Sequence, residues 1–123
     1  MNSKRILIID DEKINILALA HFLKPQYEII VAKNGITGIK AAENHKPDLI
    51  LLDVIMPEMD GYEVIAKLKE LEATRDIPVI FITGIASFAE NKEKDQLYGA
   101  VDFISKPFEK SAVKETIDSF FKN

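Results

Sequence analysis

Cysteine is absent from the chain. That excludes a disulfide framework and a thiolate metal site alike, and it fits a reducing compartment. No apolar run is longer than a strand, far short of the ~20 residues that span a bilayer, so no membrane segment is expected. The opening residues Met1-Asn2-Ser3-Lys4-Arg5 hold a basic pair but neither a long apolar region nor a cleavage site. This argues against a secretory signal, and the expected location is the cytoplasm. Basic residues are outnumbered, 16 Lys and Arg against 20 Asp and Glu, for a net charge of −4. That balance is not the footprint of a nucleic-acid binder. A glycine-rich phosphate loop is also missing, which leaves nucleotide or flavin binding without direct support. There is no low-complexity segment, linker or internal repeat.

What remains is an alternation of short apolar runs and amphipathic stretches. At 123 residues the natural expectation is one domain, residues 1–123, able to bury a core without staples. Ile6-Leu7-Ile8-Ile9 leads into Asp10-Asp11, and residues 13–24 then place Ile16, Leu19, Ala20 and Leu23 on one helical face, ended by Pro25. Tyr27 to Val31 reads as a second strand, and Asn34 can cap a helix to about His45. Leu49 to Leu52 is a third run ending at Asp53; past the Pro57 break, Asp60 and Glu63 form a capping box opening a helix to about Leu71. Pro78 sits where Val79-Ile80-Phe81-Ile82 begins, a position that tolerates a missing N–H. Ser87 and Glu90 suggest a second capping box before a polar helix that Gly99 ends. Val101 to Ile104 is the fifth run, and a last helix covers about Glu109 to Phe121.

These are five β/α units. Continuous apolar runs mean strands buried on both faces, hence a parallel sheet with helices on both sides. Right-handed crossovers make the layout doubly wound, and ligands then bind beyond the carboxyl ends of the strands at the switch point. Asp10, Asp11 and Glu12 follow the first strand, Asp53 ends the third, Thr83 and Gly84 follow the fourth, and Lys106 follows the fifth. Taken singly, each piece is ordinary: acids favoured by a helix dipole, a strand exit, a turn, a solvated lysine. Taken together, they put carboxylates, a hydroxyl and an ammonium on one rim, which no core requires. Crowded carboxylates raise one another's pKa unless a cation intervenes, and an oxygen-only set suits Mg²⁺ or Mn²⁺ rather than zinc. His21 and His45 have no ligand partner at useful spacing, and Met56 and Met59 read as loop packing.

The runs Ile6 to Asp11, Pro47 to Pro57, Met59-Asp60-Gly61, Pro78 to Thr83 and Gly99 to Phe108 follow one another over essentially the whole chain. In this order and spacing the sequence resembles the response-regulator receiver domains of two-component signalling, chemotaxis regulators among them. The resemblance implies a flavodoxin-like sheet of strand order 2-1-3-4-5. It implies Asp53 as phosphoacceptor, and Mg²⁺ held by Asp10, Asp11, Asp53 and the backbone carbonyl of Ile55. Thr83 and Lys106 would bind phosphoryl oxygens, Phe103 would be the switch aromatic, and the Lys106–Pro107 bond would be cis. The implied phosphodonor is a sensor histidine kinase or a phosphotransfer protein. The implied output is a change on the face of the helix after Ser87, the fifth strand and the last helix. That face would serve a homodimer, a partner or a C-terminal output domain.

Two departures concern Ile55 and Ile85, apolar where many members are polar; they are expected to tune the lifetime of the phosphorylated state. Gly84 stands where Ala is commoner and keeps the site accessible. Two rival functions are open to such a rim, and the residues disfavour both. A phosphatase of the haloacid dehalogenase type wants a second Asp two residues after its nucleophile, where this chain has Ile55. A phosphorylation-independent interaction module typically lacks an acid or the Lys, and here all are present. The chain is therefore expected to catalyse its own phosphorylation and dephosphorylation but no turnover of an external substrate.

Overall fold

In the computed structural model, which describes residues 4–84 and 99–122, the apolar runs are strands. They are β1 (Arg5–Ile9), β2 (Glu28–Ala32), β3 (Leu49–Asp53), β4 (Val79–Gly84) and β5 (Asp102–Lys106). All pair in parallel, in the order β2-β1-β3-β4-β5, the expected doubly wound arrangement. The helices among the described residues are α1 (Lys13–Leu23), α2 (Gly35–His45), α3 (Gly61–Glu70) and α4 (Lys110–Lys122). Ile85 and the expected helix after Ser87 lie outside the described residues.

The two cores follow from period-two alternation in strands with no polar face. Leu7, Ile9, Ile50, Leu52, Val79 and Phe81 pack with Ala42 of α2 and Val64, Ile65 and Leu68 of α3. Their neighbours Ile6, Ile8, Leu49, Leu51, Ile80, Ile82 and Ile104 turn the other way, onto Ile16, Leu19 and Leu23 of α1 and Val113 and Ile117 of α4. Each fully buried Leu or Ile contributes roughly 1.5–3 kcal/mol, so β1 and β3 anchor the domain. Ala20, assigned to the buried face of α1 by periodicity, is only half-buried.

Helix starts follow their capping residues. Asn34 accepts from the Thr37 amide, and Asp60 and Glu63 exchange both bonds of a capping box. β5 runs later than its apolar stretch, because Ser105 and Lys106 still pair with Thr83 and Gly84; a ladder needs backbone, not hydrophobicity. Pro78 has no N–H to give, but its carbonyl accepts from Ile50 at 3.0 Å. Gly99 has φ of 92°, the left-handed region that favours glycine.

Candidate functional site

The strand order puts the switch point between β1 and β3, since the chain leaves β1 toward β2 and returns on the other side. Asp10 emerges directly from β1. Its amide still bonds Ala32 O at 3.1 Å, which holds the backbone in line with the sheet, and its Oδ1 accepts from the Glu12 amide at 2.9 Å. Asp53 is the last residue of β3, paired with Ile82. Its Oδ1 accepts from the Ile55 amide at 3.2 Å and lies 3.4 Å from Lys106 Nζ. Thr83, one residue past Ile82, is buried, and among the described residues its hydroxyl makes a long 3.4 Å contact with Gly84 O. Oxygens of Asp10, Asp11 and Asp53 all lie within 4.8 Å of one another.

This arrangement is costly as it stands. Asp10 and Asp53 are 0% and 1% exposed, and the Oδ2 of each is buried with no hydrogen-bond partner among the described residues. Burial pushes Asp53 up to about 7; the charge of Asp10 adds to this and Lys106 opposes it. Asp10 is raised as well, again chiefly by burial. Orphaned anionic oxygens facing one another are what a divalent cation relieves. An oxygen-only donor set, with exposed Asp11 at its outer side, fits Mg²⁺ or Mn²⁺.

The approach of α3 to this site depends on one glycine. The Gly61 amide bonds Val54 O at 2.8 Å, and Val54 N bonds Ile82 O at 3.0 Å, so the loop between β3 and α3 is tied at its base. A Cβ on Gly61 would fall 2.5 Å from Asp53 O and 2.8 Å from Val54 Cα. Both are backbone atoms that cannot step aside, so α3 can start this close to Asp53 only on glycine. Within the loop Met56 is buried, Ile55 is 65% exposed and Glu58 has φ of 67°. Met59 packs beside the core under α2 and α3.

Phe103 faces Phe81 in register, and Thr83 faces Ser105. Alternation therefore puts Phe103 and Thr83 on the same sheet face, one pleat apart. Phe103 is half-buried against the α2–α3 core. The Lys106–Pro107 peptide is cis. His21 and His45 are both exposed. One contact was not foreseen from sequence: Glu12 Oε1 lies 3.5 Å from Lys106 Nζ and accepts from Asn15 Nδ2 at 3.0 Å. The only signal was a third acid with an Asn one helical turn on.

Comparison with known proteins agrees with this fold. The family model of the response regulator receiver domain matches residues 6–118. A probable cyclic di-GMP phosphodiesterase of Vibrio cholerae is 39% identical over 121 residues; the match covers 96% of this chain but 26% of that protein, so the chain spans about a quarter of that relative. The polar-differentiation response regulator DivK of Brucella anthropi is 35% identical over 118 residues, covering 95% of each. The receiver domain of the sensor histidine kinase PA1611 from Pseudomonas aeruginosa PAO1 was solved with a magnesium ion coordinated in its active site cleft. Its fold matches with a TM-score of 0.87 at 24% identity, over 99% of this chain and 100% of that one.

Proposed function

Because the chain belongs to the response regulator receiver domains of two-component systems, we propose that it accepts a phosphoryl group on Asp53 from the phosphohistidine of a sensor kinase or phosphotransfer protein. One observation carries the reading: a buried carboxylate at a strand end, its Oδ2 without a hydrogen-bond partner among the described residues, beside two further carboxylates and 3.4 Å from an ammonium. In the proposed step an Asp53 oxygen attacks phosphorus as the P–N bond to imidazole breaks. The electron pair leaves with the imidazole nitrogen, which takes up a proton. Lys106 offsets negative charge on the transferring oxygens, and the Thr83 hydroxyl donates to one of them. Asp10, Asp11, Asp53 and the Ile55 carbonyl would hold Mg²⁺, which when bound supplies further positive charge at those oxygens.

Recruitment of Thr83 alters packing beside Phe103 on their shared sheet face. A charge event thus becomes a shape change at β5 and α4, read by an output domain, a partner or a second copy. Ile55 leaves no second Asp for ester hydrolysis, so the chemistry is confined to Asp53 itself. With acetyl phosphate and Mg²⁺, the chain is expected to gain one phosphoryl group by mass, in a linkage that hydroxylamine cleaves. A hydroxylamine-resistant label, or sustained turnover of an aryl phosphate, would overturn the reading.

Ile55 and Ile85 should lengthen the life of phospho-Asp53. A branched alkyl group cannot orient water for in-line attack, whereas an amide or carboxylate can. Changing Ile55→Asn and Ile85→Glu together is expected to speed decay by roughly 10-fold, about 1.4 kcal/mol of barrier. The measurement is loss of label after donor removal, and decay at the parental rate would show that these residues do not set the lifetime.

A further inference from the structure

We propose that Glu12 is a positioning residue for the transfer: it holds Lys106 in a competing ion pair that the phosphoryl group must break. The inference rests on the reading of Asp53 as phosphoacceptor.

Lys106 Nζ stands 3.4 Å from Asp53 Oδ1 and 3.5 Å from Glu12 Oε1. A seated charge-assisted hydrogen bond is about 2.7–2.9 Å. The ammonium is therefore divided between two anions and seated on neither. A lysine head with three donors on a flexible stem can occupy such a position and leave it cheaply. Its side chain is 24% exposed, so the stem is held and only the head has far to go.

Glu12 is itself fixed. Its amide is tied to Asp10 Oδ1 at 2.9 Å, and Asn15 Nδ2 donates to the same Oε1 that faces Lys106, at 3.0 Å. It occupies the N-cap of α1, yet its side chain makes no capping bond. A plain role as a dipole-favoured acid would not need Asn15 to aim it at the rim. The two anions differ in one respect. The Asp53 side chain is 2% exposed and that of Glu12 59%, so water screens Glu12 far more and its hold is the weaker. Exposed ion pairs of this kind shift equilibria by up to about five-fold. A phosphoryl group on Asp53 brings added charge to the buried side and draws the ammonium over. Glu12 thus sets how completely Lys106 commits before and during transfer.

The test compares phosphorylation by acetyl phosphate and Mg²⁺ in four variants. Glu12→Gln is expected to react about three-fold faster. Removing a negative charge could by itself favour an anionic donor, so Glu12→Asp is the control: it keeps the charge but falls one methylene short of Lys106. Under the proposal it accelerates as Gln does; acceleration by Gln with Asp at the parental rate would overturn it. In a Lys106→Met background, Glu12→Gln should change nothing, and acceleration there would equally overturn it. A readout independent of turnover is the Lys106 ε-methylene carbon resonance in lysine-labelled, metal-free protein. It should move on Glu12→Gln and, by less, on Asn15→Ala; an unmoved signal sinks the ion pair. Labelling of the parent with no rate change in Glu12→Gln defeats this inference alone, whereas absence of labelling in the parent defeats the reading of Asp53 and the inference with it.

Discussion

Asp53→Asn is expected to reduce phosphoryl incorporation to background while leaving a folded chain that, without metal at neutral pH, is more stable than the parent. The amide keeps the shape of the carboxylate but cannot attack phosphorus. It also removes one of two buried like charges whose Oδ2 atoms lack hydrogen-bond partners among the described residues. An uncompensated buried polar group costs about 1–3 kcal/mol, more when charged, and stabilisation in that range is expected by thermal melting. Loss of label together with a gain in stability separates a chemical defect from a folding defect. Equal labelling of parent and variant would remove Asp53 from the acceptor role.

The second large effect is linked to pH. Asp53 has an ordinary value of 3.8 and is held near 7 in the folded chain, by burial first and by Asp10 second. The folded state therefore binds this proton more tightly than the unfolded state does. The corresponding stability is fully present below pH ~4 and is lost as pH rises through ~7, at up to about 1.4 kcal/mol per pH unit. Other carboxylates pull the other way, so the informative quantity is the difference between parent and Asp53→Asn. The parent should fall relative to the variant from mildly acid to neutral pH. Mg²⁺ requires the ionised form and competes with the proton. Millimolar Mg²⁺ should thus raise the melting temperature of the parent more at pH ~8 than at pH ~5, and Asp11→Ala should lose most of that gain. A Mg²⁺ effect that is absent, or equal at both pH values, would count against the three-carboxylate site.

Much of this was legible because the sequence signals were redundant. Ile6 to Ile9 and Leu49 to Leu52 have no polar face, so only a two-sided sheet can bury them, and strand order follows from connection rules. Asn34, Asp60 and Glu63 announce their helix starts with side chains that bond where sequence spacing says they should. The apolar run marks the fifth strand too early, because apolarity ends at Ile104 while the ladder continues to Lys106. Periodicity puts Ala20 on the buried face but cannot tell how deeply a stripe sinks. The rim chemistry could be read once four strand ends were aligned. The division of Lys106 between Asp53 and Glu12 could not, since it depends on about 3.5 Å of side-chain reach across elements distant in sequence.

The closure of the loop after Asp53 has an engineering consequence. Val54 is clamped to Ile82 on one side and to Gly61 on the other, so the intervening residues form a cassette whose ends are mechanically fixed. Exposed side chains at its tip can change without pulling on β3, as long as the two end clamps and the bond from the Ile55 amide to Asp53 survive. Kinetic tuning is thereby decoupled from the stability of the sheet: substitutions of the exposed side chains at Ile55, Pro57 or Glu58 leave the backbone ties in place, while a change at Gly61 acts on the mount.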